Sequence, residues 1–489
     1  MTRYLSVMNV VLIMSDTFRR DHLGCYGNDW IYTPNIDALA KQSVVFDRAY
    51  TASFPTVPNR RDIATGRFTF SYSDWSPLPR DEVTLADMLR EAGYVTMLVA
   101  DTPHILKDGY NFDRGFDGWI WIRGQENDRY STDPVDYRFP CSPKKLRSPN
   151  NTVKQYLRNV SMRHYESDYF VAQTMTEATK WLERNKKHEK FFLYVDTFDP
   201  HEPWDPSRWY VDLYDPSYEG EEVTYPVYGP CEYLTPAELK HLRALYAGEV
   251  TMVDHWAGLL LERIRDLGLW DNTAVIFTSD HGFYHGEHGL VGKSIITESA
   301  QGLAPLYDEV ARIPLIIRVP EIEPRRCQPL VQPPDLMPTI LDLVGGRIPK
   351  TVQGRSLLPL MRGENPSWRD FAVASPSIIH GPVAGQRISV VTDEWFLIYC
   401  GQVDEALREL PAERRTRIVD GFERLQKIVG GRPRNELFHL PKDPHQVNDL
   451  FEENVEVAEE IQAKLLRFLE IIGTKEEILR YWRRLDHSS

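Results

Sequence analysis

The sequence predicts an α/β fold: an open, doubly wound, mostly parallel sheet flanked by helices over residues 1–375, then a smaller α+β unit with a short antiparallel sheet over residues 376–489. Three observations carry this. Short apolar runs of strand length recur, each ending in polar or ionisable residues; helical periodicity fills the stretches between them; and beyond about residue 375 the alternation stops. Runs that are apolar at every position suit strands buried on both faces, as in a parallel sheet covered by helices.

The first run, Val10-Val11-Leu12-Ile13-Met14, ends at Ser15-Asp16. Residues 84–92 read as a helix stopped by Gly93, and the run 95–99 ends at Asp101. A second helix covers 169–184; the run 191–195 then ends at Asp196 and leads to His201. Over 245–267, Val250, Val253, Ala257, Leu260, Leu261, Ile264 and Leu267 form one helical stripe, closed by Gly268. The run 274–277 ends at Ser279-Asp280-His281. Segments 124–150 and 199–236, rich in Pro, Tyr, Trp and charge, read as long loops over the rim. Their aromatics Trp204, Trp209, Tyr210, Tyr214 and Tyr218 either wall a pocket or, more commonly for such residues, pack the loop onto its own domain. In the C-terminal unit, 387–391 and 395–398 form a hairpin around Thr392-Asp393-Glu394. A charged helical stretch (405–429), a short strand (435–440) and an amphipathic helix (456–472) follow. That closing helix packs on its own core or serves a contact in a homo-oligomer.

Composition excludes several classes. With 71 acidic and 57 basic side chains the formal net charge is −14, which excludes a generally basic nucleic-acid binder but allows a local basic pocket. Five scattered cysteines without a CxxC pair argue against a disulfide framework or zinc ribbon and fit a reducing compartment, so the expected location is cytoplasmic. No run approaches the ~18 apolar residues that span a bilayer, and the apolar start is too short for a signal peptide. Neither a nucleic-acid nor a membrane partner is expected, and a local basic pocket would suit a small anionic one.

In open α/β sheets, ligands gather beyond the carboxyl ends of the strands. Asp16, Asp101, Asp196 with His201, and Asp280 with His281 should therefore converge on one rim, although an Asp at a strand end often only caps the next helix. In Phe54-Pro55-Thr56-Val57-Pro58-Asn59-Arg60, Pro58 suits the first turn of a helix, which places Thr56 beside that helix's free N–H groups. An anion at Thr56 would be stabilised by the helix N-terminus and by Arg60. The plain alternative is a Thr-capped helix with surface arginines. Asp280 and His281 offer a carboxylate oxygen and an imidazole nitrogen to a divalent metal, and Lys293 a positive charge to a bound anion. Together with Asp16 they make a nest of hard ligands; alone, a His-rich loop can be structural.

These residues resemble the sulfatase branch of the alkaline-phosphatase superfamily. Thr56-x-Pro-x-Arg60 followed by Thr65-Gly66-Arg67 matches, in spacing, the family's Cys/Ser-x-Pro-x-Arg and Thr-Gly-Arg signature. Residues 9–27, Asp199-Pro200-His201-Glu202-Pro203, the stretch from Ser279 to Lys293, the blocks 306–315 and 435–450 are similar to further family segments, so the likeness spans nearly the whole chain. The resemblance implies an alkaline-phosphatase-like sheet. It implies one divalent metal (Ca, Mn, Mg or Zn) held by Asp16, Asp280 and His281, with the nucleophile Thr56 as a further ligand. It also implies that Arg60 supports the nucleophile, that His201 and Lys293 contact the transferred group, and that His104, in Asp101-Thr102-Pro103-His104, hydrogen-bonds the nucleophile from the position of the family's Gly-Lys-x-His segment.

Three departures matter. Sulfatases oxidise Cys or Ser to formylglycine, which Thr56 cannot become; Thr17 replaces a second Asp; and Thr102 replaces a lysine. A formylglycine hydrate expels sulfate through its second hydroxyl. Thr56 has only one, so its adduct must be cleared by water, as in phosphodiesterase relatives that use a metal-bound threonine. The expected activity is metal-dependent hydrolysis of a sulfate ester or a phosphate/phosphonate ester. The alternatives are a two-metal phosphodiesterase, drawing further ligands from Asp196, His201 or His285, and an inactive sulfatase-like binding protein.

Overall fold

The strand Asn9–Ser15 (β1) is buried at every position and lies near the middle of an eight-stranded sheet in a computed structural model that describes residues 8–381, 386–402, 408–409, 419–420, 423–428 and 433–485. In chain order the strands that position the site are β2 (Val44–Phe46), β3 (Ser53–Phe54), β4 (Val95–Ala100), β5 (Gly118–Trp121), β6 (Phe191–Thr197), β7 (Thr273–Thr278), β8 (Leu315–Arg318) and β9 (Arg325–Cys327). The C-terminal unit adds β10 (Phe371–Pro376), β11 (Arg387–Thr392), β12 (Trp395–Cys400) and β13 (Glu436–His439). The large sheet runs β9-β2-β8-β7-β1-β6-β4-β5, and β8 alone is antiparallel to its neighbours. This is the mostly parallel architecture that the sequence predicts.

The two faces of β1 show why its run is apolar throughout. Val11 and Ile13 enter a core with helices α3 (Phe170–Asn185) and α4 (Pro236–Asp266), through Met175, Val250 and Leu260. Val10, Leu12 and Met14 enter a second core with α2 (Leu85–Glu91) and α5 (Leu336–Leu343), through Met88 and Ile340. Alternate residues thus feed opposite layers, the period-2 signature of a strand sandwiched by helices. The register pairs Met14 with both Asp196 and Thr278, so the ends of β1, β6 and β7 come level at one rim.

The smaller sheet has the order β13-β12-β11-β10-β3. Its first four strands are antiparallel, and the β11–β12 hairpin turns where expected. Its β10 straddles residue 375 and pairs in parallel with β3, so Ser53-Phe54 ties this sheet to the start of helix α1 (Thr56–Thr65). One face packs on α6 (Val455–Ile471) through Leu465 and Leu469; the other, through Phe396 and Phe438, meets Tyr284 and Tyr307 of the large unit.

Helix α4 starts at Pro236, earlier than the apolar stripe at 245, because Thr235 and Glu238 form a capping box that closes its first turn. The charged stretch 405–429 lies largely outside the described residues. Of the loop aromatics, Trp204 and Tyr210 are fully buried and pack the loop onto its own domain, while Trp209 stays half exposed and stacks on Tyr210 at 3.4 Å.

Candidate active site

Helix α1 is aimed by its neighbours. Asp62 accepts the Ser53 N–H at 2.8 Å, the Ser53 hydroxyl at 2.7 Å and the Thr69 N–H at 2.8 Å, which pins the incoming strand and the outgoing turn to the helix. Gly66 ends the helix in the left-handed region (φ 66°), and its N–H bonds the Asp62 carbonyl. Thr56 is therefore the first residue of the helix, buried, with Pro58 in the first turn as expected.

One turn on, Arg60 points back at the rim. Its Nε and Nη2 hold the two Asp196 oxygens at 2.9 and 2.8 Å. Its Nη1 reaches the Thr56 carbonyl at 3.3 Å, Asp280 Oδ2 at 2.5 Å and Asp16 Oδ2 at 3.0 Å. A single buried guanidinium thus links the helix start to three strand ends. Asp196 also accepts the Thr102 hydroxyl at 2.6 Å and the Tyr194 hydroxyl at 2.8 Å.

Asp16, Asp280 and His281 are fully buried, and their ligand atoms lie within 4.8 Å of one another. Thr17 turns the chain through a left-handed conformation (φ 59°); its N–H donates to Asp280 Oδ1 at 2.9 Å and its hydroxyl to Asp16 Oδ1 at 2.7 Å. His281 Nδ1 lies 3.0 Å from the Gly282 carbonyl, which assigns the proton there and leaves Nε2 unprotonated, facing Lys293. Gly282 is required by close approach: a Cβ there would stand 1.9 Å from the Glu309 carbonyl oxygen. Lys293 Nζ sits 3.4 Å from His281 Nε2 and 3.5 Å from the Thr17 hydroxyl.

The electrostatics follow from this crowding. Burial, reinforced by Asp280, pushes the Asp16 carboxyl well above the usual carboxylate range despite Arg60 and Lys293. Burial acts the same way on Asp280, but His281, Arg60 and Lys293 outweigh it and hold that carboxyl down. Burial, aided by Lys293, lowers His281 to about 3, so its imidazole is neutral and able to ligate. Asp16 Oδ2 is buried with no hydrogen-bond partner, its contact with Arg60 being poorly aligned. An orphaned carboxylate oxygen beside a second carboxylate and an unprotonated imidazole nitrogen is a donor set that fits a divalent cation.

The remaining expected residues stand nearby. His201 is buried, its Nδ1 2.8 Å from the Glu202 carbonyl oxygen, and its ring stacks on Phe198 at 4.0 Å. Burial, with Lys293 next, holds it well below the usual imidazole range. His104 lies on the turn Pro103–Leu106, whose Ile105 shares an apolar cluster with Val57 of α1. Its Nε2 sits 3.0 Å from Glu126 Oε2, and its ring packs edge-on to Phe198 at 5.6 Å. The extra ligands of a two-metal site are not assembled: Asp196 is held by Arg60, His201 stands against Glu202, and His285 Nδ1 is 3.2 Å from Arg19 Nη1. Among the described residues Asp16, Asp280 and His281 form the one metal-sized group.

Glu126 and Arg147 belong to this neighbourhood without any sequence motif pointing to them, and Glu202, within the His201 segment, joins them. Arg147 pairs with Glu202 at 2.5 Å and lies over the rings of Tyr225 and Tyr228 at 4.1 and 4.3 Å. Glu126 accepts the Tyr225 hydroxyl at 2.6 Å from a positive-φ backbone (46°). Glu126 and Arg147 come from loops without periodicity, whose length was the sole signal.

A mostly parallel α/β sheet thus gathers buried carboxylates, an imidazole and a lysine beyond its strand ends. A family model described as Sulfatase matches residues 8–346, and the chain belongs to the sulfatase family. It is 28% identical to an arylsulfatase of Clostridium perfringens over 420 residues, covering 74% of this chain and 80% of that protein. It is 24% identical to an N-acetylglucosamine-6-O-sulfatase of Bacteroides thetaiotaomicron over 443 residues, with 75% and 73% covered. The solved phosphonate monoester hydrolase of Agrobacterium radiobacter superposes with a TM-score of 0.71 at 21% identity, covering 95% of this chain and 96% of that one, a likeness of fold. No helix among the described residues is long and apolar enough to cross a membrane.

Proposed function

We propose that the chain is a metal-dependent hydrolase of sulfate esters or phosphate/phosphonate esters, with Thr56 as nucleophile. The observation that carries this reading is Arg60 Nη1, which bridges the Thr56 carbonyl to the carboxylates of Asp16 and Asp280 and so sets the helix start against a cation-sized donor group. A divalent cation held by Asp16, Asp280, His281 and the Thr56 hydroxyl would supply Lewis acidity, lowering the hydroxyl's pKa at neutral pH.

The chain's own residues do the rest. Arg60 and the free N–H groups at the start of α1 orient Thr56 and favour negative charge there. Lys293, against His281, faces the charge of the tetrahedral anion. His201 and Lys293 contact the transferred group and support departure of the alcohol, and His104, fixed by Glu126, serves the nucleophile. Attack by the Thr56 oxygen forms a bond to sulfur or phosphorus and breaks the bond to the alcohol. Water then attacks the same centre, releasing the anion and restoring the hydroxyl. Family membership favours sulfate; the single hydroxyl of threonine favours phosphate or phosphonate. Five unpaired cysteines support a reducing, cytoplasmic setting.

A panel of aryl sulfates, phosphodiesters and phosphonates with added divalent metal, read with intact-mass detection of an adduct on Thr56, tests the reading. Thr56→Ala is expected to lose the adduct and at least ~100-fold in turnover, a span typical of a lost nucleophile. Parent-rate turnover by Thr56→Ala would end the nucleophile assignment, and no metal-dependent turnover of any ester would favour a non-catalytic binding protein.

A further inference from the structure

The chain carries a net −14, yet its cations are unevenly distributed. At the C-terminal end of α1, a groove of about 920 Å³ opens between that helix end and α6. Its walls bring together Arg67, Lys350, Arg355, Arg369, Lys464 and Arg467 against one carboxylate, Asp370. Three of these cations are engaged. Arg67 pairs with Glu82 at 3.1 Å, Arg369 clamps Asp335 with two bonds of 2.6 and 2.5 Å, and Lys464 pairs with Asp370. Lys350, Arg355 and Arg467 are exposed and form no close ion pair with any described residue, Arg467 acting on the Asp370 carboxylate only from longer range. The groove therefore holds an uncompensated positive field inside an acidic molecule, where like charges repel unless an anion is supplied.

Aromatic rings floor this field. The guanidinium carbons of Arg355 and Arg369 stand 6.0 and 5.4 Å from the ring centre of Trp368. Phe468 packs edge-on to Phe68 at 4.9 Å and to Phe371 at 5.6 Å. Flat apolar rings beside cationic arms in one groove suit a ligand with apolar faces and several anionic groups.

We infer that this groove docks a polyanionic chain, and specifically a sulfated polysaccharide. The polyanion follows from the unpaired charge; the polysaccharide rests on the sulfatase reading above. A nucleic acid is the poorer fit, because a phosphate backbone needs a continuous basic track, whereas this positive field is confined to one groove on a molecule of net negative charge. The ten residues of α1 separate the groove from Thr56 by ~15 Å at 1.5 Å per residue. The groove is thus an anchoring site distinct from the ester-cleaving centre, and it raises the effective concentration of a tethered chain near that centre.

The test measures binding of fluorescent low-molecular-weight dextran sulfate at two salt concentrations. It compares the parent with the triple variant Lys350→Ser/Arg355→Ser/Arg467→Ser and with the single charge reversal Arg467→Glu. Dextran sulfate is expected to bind the parent, more weakly at higher salt, while uncharged dextran does not bind. The triple variant is expected to bind at least ~10-fold more weakly with a shallower salt dependence, Arg467→Glu to fall between, and aryl-ester turnover to be unchanged in all three. Undiminished binding by the triple variant, or no binding by the parent, overturns the groove. Single-stranded oligo(dT) binding the parent as tightly as dextran sulfate overturns the polysaccharide assignment. Groove-dependent binding in a protein that cleaves no ester upholds the polyanion site while the hydrolase reading fails.

Discussion

Arg60 is the charge on which the three aspartates of the rim depend. Buried beside Asp16, Asp196 and Asp280, it alone presents a planar fork to Asp196 while its remaining nitrogen reaches the other two. Removing one member of a buried ion-pair network leaves its partners uncompensated, at a cost of about 3–5 kcal/mol. Arg60→Ala is therefore expected to lose about that much in denaturant unfolding without added metal. Arg60→Lys keeps a charge but cannot hold both Asp196 oxygens and Asp280 at once, so it should lose activity more completely than stability. An Arg60→Ala protein as stable as the parent would show that the network is not the support described. At this scale the sequence was informative where residues follow strands. Asp16, Asp196, Asp280 and His281 were legible because apolar runs point at them, and Arg60 because of its spacing from Thr56. Glu126 and Arg147 were not, because their positions depend on how an aperiodic loop folds over the rim. The partner of His104, Glu126, is set by that loop packing and not by any local pattern.

Elements were legible to the extent that burial imposed a period. The strands buried on both faces were found within a residue or two, and α3 almost to its ends, because each carries an unbroken apolar run or stripe. The start of α4 was placed too late because its first turns carry Glu238, Lys240 and Arg243 and no continuous stripe. The signal that would have found it is chemical: Thr235-Pro236 with Glu238 is a capping box with proline at the first helical position. The structure shows both halves, with the Glu238 N–H donating to the Thr235 hydroxyl at 3.2 Å and the Thr235 N–H to Glu238 at 2.9 Å. Thr235→Ala should accordingly lose about 1 kcal/mol, the usual worth of such a cap, read as a lower denaturant midpoint with an unchanged slope. A Thr235→Ser control should recover most of it, and an Ala variant indistinguishable from the parent would mean that the long helix is held by packing alone.

For the molecule as a whole, folding is what creates the proposed cation site. Asp16 follows β1 and Asp280 follows β7, strands distant in sequence and adjacent in the sheet, so their carboxylates meet in the folded chain and separate in the unfolded one. Without a cation the meeting is unfavourable: burial and Asp280 together drive the Asp16 carboxyl upward. A ligand that binds the folded state alone stabilises it by an amount set by its concentration over its dissociation constant, about 2.7 kcal/mol at a hundredfold excess. Thermal unfolding followed during titration with calcium, manganese, magnesium or zinc should show a melting temperature that climbs with concentration for the preferred ion and returns to its start on chelation. Asp280→Asn removes a carboxylate that Arg60 holds, so its melting temperature without metal should fall below the parent's, and the response to metal should disappear. Superimposable parent curves across all four ions, or a full metal response surviving in Asp280→Asn, would place any bound cation elsewhere and leave Asp16 and Asp280 as partners of Arg60 alone.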